Sequence, residues 1–388
     1  MSQAVDTNQP KSRKKRRIIA GVILGIILLL GIGSCAYIAS IGSAWNNGTE
    51  KFEGNTFPQD DGKISDSALE AFKKNFAAAN EPNKDGIPVN ANGKKNITDN
   101  DKNGNGIPDD LEGGKTTDRP RESGATDILL LGSDSRAGTA ESIHVQGQRA
   151  DTIMLLHIPK DSNDAYLISI MRDTWVNIPG FSSAKINAGL NYGGLDLQIA
   201  TIEQLLNTRI DHLAEIDFTG FKGLTDEVGG VTVNVPFAFS GDGVSFNAGP
   251  QHMDGDTALT FVRQRYQFAD GDYQRVRNQR AYVDGLVQTL KGKGAFNNLV
   301  NFKSMVQTVS PYVKVDSGLD AATLASIGAP AVSSGGVDLH MMTLPNAGTG
   351  WSLDGQSIVV LDTTATDALS NALNNGTMAD FVATYGSG

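Results

Sequence analysis

Five arginines, Arg263, Arg265, Arg275, Arg277 and Arg280, crowd the stretch FVRQRYQFADGDYQRVRNQR, which contains no lysine. A guanidinium is a planar fork of donors that stays charged and matches carboxylate or phosphate oxygens two at a time. Such a cluster repels itself unless an anion joins it, in a chain whose net charge is −10. Arg263 and Arg265 are two apart and share a face if the chain is extended there. Arg275, Gln279 and Tyr282 recur at helical spacing, so one helix face carries a cation, an amide and a ring. The plain alternative is a solvated helix face laced with salt bridges.

Three further arginine–acid groupings weigh against that alternative. Gly132-Ser133-Asp134-Ser135-Arg136 follows an apolar run, Arg149-Ala150-Asp151-Thr152 opens a second, and Met171-Arg172-Asp173-Thr174 ends a third. One such pair beside a buried strand reads as structural, since an unpaired charge there is costly. Three of them, with the arginine stretch, point to a doubly charged phosphate and its metal. Carboxylates would hold Mg²⁺ or Mn²⁺ and arginines the remaining phosphate oxygens.

Several elements must position these residues. Asp127–Leu131, Thr152–Ile158 and Ala165–Ile170 are short apolar runs suited to buried strands, as are Glu215–Phe218, Val231–Val235 and Val337–Leu344. Helical periodicity marks Leu195–Leu206, Phe221–Val228, Gly255–Val262, Arg275–Leu290, Leu299–Val309 and Thr363–Leu373. The interleaving predicts an α/β fold, with a central mostly parallel or mixed sheet covered by helices on both faces. GxxxxGK[ST] is absent and no GxGxxG joins a strand to a helix, so nucleotide-binding α/β folds gain no support.

The composition, 39% hydrophobic and 20% charged over 388 residues, suits a globular chain with a sizeable core. Lys11, Arg13, Lys14, Lys15, Arg16 and Arg17 face a single acid, Asp6, so the chain beyond is more acidic than the total shows. That balance disfavours nucleic acid as a partner. Cys35 is the sole cysteine and excludes a disulfide framework or a cysteine-based zinc site. His144, His157, His212, His252 and His340 are scattered and form no HExxH pair.

Residues 1–17 read as a cytoplasmic basic tail and 18–44 as a transmembrane helix, long enough for the ~30 Å hydrocarbon core. The basic flank places the N-terminus inside and the rest of the chain outside the cell membrane. A cleaved signal peptide and a lipoprotein site at Cys35 are the rivals. Residues 45–124 read as an extracellular stalk or insert, 125–345 as the catalytic domain and 346–388 as its C-terminal strand and helix extension. Within the insert, DKNGNGIPDDLE from Asp101 to Glu112 fits D-x-[DN]-x-[DN]-G-x5-E. Asp101, Asn103, Asn105, the Ile107 carbonyl, Asp109 and Glu112 would ligate Ca²⁺, with Gly106 at the turn. Calcium is expected to order residues 99–114 and to set the catalytic domain's distance from the membrane. The alternative is a plain acidic stalk.

LGSDSR, RADT, SIMRDT, KINAGLNYGG, VGGVTVNV, MDGDTALTFVRQR and GDYQRVRNQR, in that order from Thr126 to Leu344, resemble the LytR-CpsA-Psr family. The resemblance implies a membrane-anchored extracytoplasmic phosphotransferase. It would move a glycopolymer (teichoic acid, capsular or other wall polysaccharide) from a polyprenyl-pyrophosphate carrier to peptidoglycan through a phosphodiester. On the same resemblance Asp134 and Asp151 match Mg²⁺-associated aspartates. Arg149, Arg172, Arg263, Arg265 and Arg275 match pyrophosphate-contacting arginines, and Arg136, Asp173, Lys185 and Gln279 fall in its substrate-binding motifs. Met171 stands where the family has proline, and Asn278 where an arginine is common. Without a Ser-His-Asp or Cys-His set, transfer is expected to be direct. An apolar cavity walled by helices at 221–228, 281–290 and 299–309 would take the prenyl tail. A polyprenyl-pyrophosphate hydrolase and a non-catalytic binder of anionic wall polymer are the competing readings.

Overall fold

The computed structural model describes residues 39–54, 56–61, 118–133, 150–160, 162–180, 182–353 and 355–386. Apolar runs form its centre. β1 (Glu50–Lys51), β2 (Thr126–Ser133), β3 (Ala150–Ile158) and β4 (Asp164–Ile170) are followed by a small hairpin, β5 (Trp175–Ile178) and β6 (Ser182–Lys185). β7 (His212–Asp217) returns to the centre, whereas β8 (Val231–Val235), β9 (Phe239–Gly241), β10 (Val244–Phe246) and β11 (Gly249–Met253) form outlying pairs. β12 (Lys314–Val315) and β13 (Asp338–Thr343) complete the main sheet, and a last hairpin joins β14 (Asn346–Trp351) to β15 (Ser357–Leu361).

The seven-stranded sheet has the order β1-β12-β7-β2-β3-β4-β13. It is mixed rather than mostly parallel. β1–β12, β7–β2 and β4–β13 pair in parallel, while β12–β7, β2–β3 and β3–β4 are antiparallel. Val231–Val235, read as a strand, pairs with β11 outside this sheet.

Both faces are covered, as the alternation along β2 requires. Leu129 and Leu131 join Leu197, Ile199 and Ile202 of the Ala188–Leu206 helix, together with Leu369, Leu373 and Phe381. Ile128 turns the other way, toward Phe302, Val306 and Ala331. A third cluster packs Leu224, Val231, Phe261 and Tyr282 beyond the sheet. Aspartates start several helices by accepting from free N–H groups: Asp217 from Gly220 N, Asp254 from Thr257 N and Asp362 from Ala365 N.

The N-terminal boundary differs from the sequence reading. Residues 39–48 are helical, and Ile41 and Trp45 are buried with Phe302 and Val315. A Cβ on Gly42 would fall 2.2 Å from the Ala321 Cβ, and one on Gly48 2.0 Å from the Ser310 Oγ, so glycine permits this close approach. Most of the expected 18–44 span lies outside the described residues. Among those described, no helix is long and apolar enough to cross a membrane.

The stalk reading also changes. β1 joins the sheet edge, Phe52 enters the core, and Arg119 forks onto the buried Glu203 while its Nη2 donates to the Ile210 carbonyl. Arg119 N donates to the Asp60 carbonyl at 3.3 Å, so residues 60 and 119 lie side by side. The calcium-loop residues Asp101, Asn103, Asn105, Ile107, Asp109 and Glu112 lie outside the described residues.

Candidate active site

One cavity of about 600 Å³ lies against the sheet at the ends of β2, β3, β4 and β7. Its apolar wall crosses the sheet from Met154 on β3 through Leu130 on β2 and Ala214 on β7 to Val313 beside β12. Phe221 and Leu224 of the Phe218–Glu227 helix, Leu259 and Val262 of the Gly255–Arg263 helix, and Tyr282, Val283 and Leu286 of the Asp272–Gly292 helix close it. The expectation for 221–228 and 281–290 therefore matches the lining. The Leu299–Val309 helix does not line the cavity, because its Phe302 and Val306 are spent in the cluster with Trp45.

Charge gathers at one end. Arg172, Arg263, Arg265 and Arg275 all line the cavity, with Asp151, Thr152 and Gln279. Arg263 ends its helix and Gln264 is extended, so Arg263 and Arg265 reach the cavity from the helix terminus and the residues just past it. Arg275 and Gln279 stand one turn apart, and Gln279 Nε2 donates to Thr152 Oγ1 at 2.9 Å.

Carboxylates bracket these cations. Arg172 Nη1 donates to Asp151 Oδ1 at 2.5 Å. Lys185 Nζ lies 3.3 Å from Asp173, beside Arg172 rather than in the cavity wall. Asp272 touches three arginines, at 3.7 Å from Arg172 Nε, 3.5 Å from Arg265 Nη1 and 3.3 Å from Arg275 Nη2. The sequence reading quoted Asp272 in a motif but gave it no role. The signal was there: an acid in the first turn of an arginine-rich helix, where it also meets the positive end of the helix dipole.

The cations are not fully satisfied. Among the described residues, Arg172 Nε and Arg275 Nε are buried without a hydrogen-bond partner. Buried donors are rarely left so, and two at the mouth of one cavity mark a place for an anion. Burial pushes the Arg275 guanidinium below its ordinary pKa; Asp272 opposes this and Arg172 adds to it. Arg263 lies over the Phe218 ring, 4.6 Å from its centroid, and Arg265 over Tyr266 at 4.5 Å. Deeper in the cavity, burial pushes the Tyr282 hydroxyl up to about 12, against a 2.7 Å hydrogen bond with Thr225. Burial likewise raises the Glu215 carboxyl, which the Ser133 hydroxyl and Lys314 partly offset.

Asp134, Arg136 and Arg149 lie outside the described residues. Ser133, which precedes Asp134, pairs with Ala150, which precedes Asp151. Among the described residues no group of three metal-ligating side chains gathers. Asp151 is nonetheless a fitting donor: its side chain is 30% exposed, it lines the cavity, and it stands beside the arginines. Mg²⁺ commonly takes one or two carboxylates and completes its shell with waters and phosphate oxygens.

The α/β domain thus carries at its strand ends a cavity that is apolar along one wall and bordered by arginines at one end. The LytR_cpsA_psr family model matches residues 88–375, and the chain belongs to that family. TagU of Enterococcus faecalis, a polyisoprenyl-teichoic acid–peptidoglycan teichoic acid transferase, is 35% identical over 194 residues, covering 50% of this chain and 62% of that protein. TagU of Bacillus anthracis is 36% identical over 191 residues, covering 49% and 59%. The match thus spans about three-fifths of those curated relatives. Among solved structures, TagV of B. subtilis superposes with a TM-score of 0.55 at 23% identity, over 66% of this chain and 99% of TagV. A LytR-Csp2A-Psr enzyme from Actinomyces oris gives 0.51 at 23% identity, over 65% and 92%. Both share the fold.

Proposed function

We propose that the chain is a glycopolymer–peptidoglycan phosphotransferase whose donor is a polyprenyl-pyrophosphate-linked wall glycan. The observation that carries this reading is the union of Arg172 Nε and Arg275 Nε, buried without a hydrogen bond, with a long apolar cavity. A pyrophosphate satisfies the first and a prenyl chain the second. The TagU relatives, named as teichoic acid transferases, support the same reaction class.

Arg172, Arg263, Arg265 and Arg275 bind the pyrophosphate oxygens, joined by Arg149 and Arg136 from the segment between β2 and β3. Asp151 with Asp134 would hold Mg²⁺ or Mn²⁺, which supplies charge neutralisation on the phosphate. Phe221, Leu259 and Leu286 contact the prenyl chain and keep water from it. A peptidoglycan hydroxyl attacks the phosphorus that bears the glycan, and polyprenyl phosphate leaves. The arginines act most strongly as charge builds on the equatorial oxygens.

In this reading residues 18–38 anchor the chain and the domain works outside the cell membrane. The calcium loop from Asp101 to Glu112 is a separate cation site on the insert. Calcium titration of the full chain beside Glu112→Gln tests it, and identical heats would leave no site.

The decisive assay incubates the full chain in vesicles with a polyprenyl-pyrophosphate glycan, peptidoglycan and Mg²⁺. A covalent glycan–peptidoglycan conjugate is expected. Release of polyprenyl phosphate without conjugate would instead make the protein a hydrolase, and no release at all would leave only binding.

A further inference from the structure

The arginine stretch divides between two cavities. On the Asp272–Gly292 helix, Arg275, Gln279, Tyr282, Val283 and Leu286 form the face that lines the first. Tyr273, Val276, Arg277 and Arg280 recur at i, i+3, i+4 and i+7 and form another face, which lines a second cavity of about 340 Å³. Across from them stand Asn346, Asp362, Phe381 and Tyr385, from the β14–β15 hairpin and the two C-terminal helices Thr363–Asn375 and Met378–Tyr385. The helix is a partition with arginines on both sides.

The second cavity is largely apolar and aromatic, with Arg277, Arg280 and the acid Asp362 set among Met171, Val276, Leu344 and Phe381. Tyr273 Oη donates to Asn346 Oδ1 at 3.0 Å, and Phe381 and Tyr385 stack with centroids 4.8 Å apart. Arg277 is half-exposed and ion-paired with Asp270, while Arg280 is 9% exposed. Burial lowers the Arg280 pKa and neighbouring Arg277 pushes the same way. The facing acid, Asp362, already accepts from Ala365 N as a helix cap.

Its place in the sheet suggests its occupant. The apolar cavity runs toward Val313 at the β12 side, so polyprenyl phosphate departs in that direction. Displacement at phosphorus is in line, which brings the attacking oxygen from the opposite side. That side is β4 and β13, where Met171 and residues 342–346 border the second cavity. Trp351, 75% exposed, extends the same surface: strand register puts it on the hairpin face from which Val359 packs against Met171 and Val276.

We propose that this second cavity is the acceptor site, where Arg277, Arg280, Tyr273 and Tyr385 hold a carboxylate-bearing glycan–peptide beside the attacked phosphorus. The inference rests on the transferase reading above. The acceptor hydroxyl oxygen forms the new bond to the glycan-bearing phosphorus. The bond from that phosphorus to the bridging oxygen breaks, its electron pair leaves on polyprenyl phosphate, and the hydroxyl proton passes to water.

Binding of a soluble disaccharide-peptide fragment of peptidoglycan to the full chain in detergent, without donor, tests the site directly. Wild type should bind it, and Arg277→Gln and Tyr385→Ala should each weaken it by about tenfold or more. Arg265→Ala should lose pyrophosphate binding and keep the fragment. Amidating the fragment's carboxylates should mimic Arg277→Gln. No binding by wild type at millimolar fragment, equal binding by both variants, or loss of donor-glycan binding in their place would each overturn the proposal. Fragment binding through Arg277 with no conjugate formed would keep the site and refute transfer.

Discussion

Asp272 lies 3.3 Å from Arg275 and holds Arg172 and Arg265 at 3.7 and 3.5 Å, so one carboxylate keeps three cations together in the ligand-free protein. It occupies the role that a phosphate would take over. Asp272→Asn should lower thermal stability by about 1–3 kcal/mol through repulsion among the arginines. The same change should tighten binding of inorganic pyrophosphate in metal-free buffer, since a competing negative charge is gone. Thermal melts with and without pyrophosphate read both effects, and weaker pyrophosphate binding would contradict the competition.

Arg265 is partly exposed at the cavity mouth, where it meets Asp272 and Tyr266. Arg265→Ala should cost roughly 1.5–3 kcal/mol of pyrophosphate binding or transfer, the range of a charge-assisted hydrogen bond. Its melting temperature without ligand should match wild type. A clear drop there would make the arginine structural.

Leu286 belongs to the apolar wall and is remote in character from the arginines. Leu286→Trp should fill the tail end. Affinity for a long-chain polyprenyl pyrophosphate should fall while that for inorganic pyrophosphate stays. Parallel titrations decide it, and an equal loss of both ligands would mean that the fold had shifted.

The Arg119–Glu203 pair is buried, with side chains 6% and 3% exposed, and Glu203 also accepts from Ile210 N. Arg119→Met leaves that carboxylate without its main partner, which typically costs about 3–5 kcal/mol. Denaturant midpoints measure the loss. A change below about 1 kcal/mol would show that Glu203 finds other compensation.

Glu215 gives a pH signature. Burial raises its folded pKa above the unfolded value of about 4.3. Between those two values the folded state keeps a proton that the unfolded chain has lost. Stability from this group therefore declines as pH rises through the window, and the decline is complete above the folded value. Glu215→Gln removes it, so the variant should gain on wild type as pH rises above the unfolded value of about 4.3. A constant difference across that rise would argue against a raised carboxyl.

Much of this was legible because periodicity and chemistry agreed. Arg275, Gln279 and Tyr282 were placed on one face by helical spacing alone, and the runs at 127–131, 152–158 and 165–170 became β2, β3 and β4. The choice between a mostly parallel and a mixed sheet was not legible, since apolar runs carry no sign of orientation. The Ala321–Ser334 helix was missed because AATLASIGAPAVSS is built of small residues and carries Pro330 inside. Ile41 read as membrane sequence because a residue buried in a domain core has the same apolarity as one in lipid. Asp272 was overlooked although Arg265 and Arg275 lie within seven residues of it; only its contact with Arg172 is distant along the chain.

The burial of Trp45 and Phe52 has a mechanical consequence. Tension on the N-terminal side enters the domain through Trp45, β1 and Phe52, which are locked into the core and the sheet edge. The first contacts to bear it are the two-residue pairing of β1 with β12 and these two buried rings.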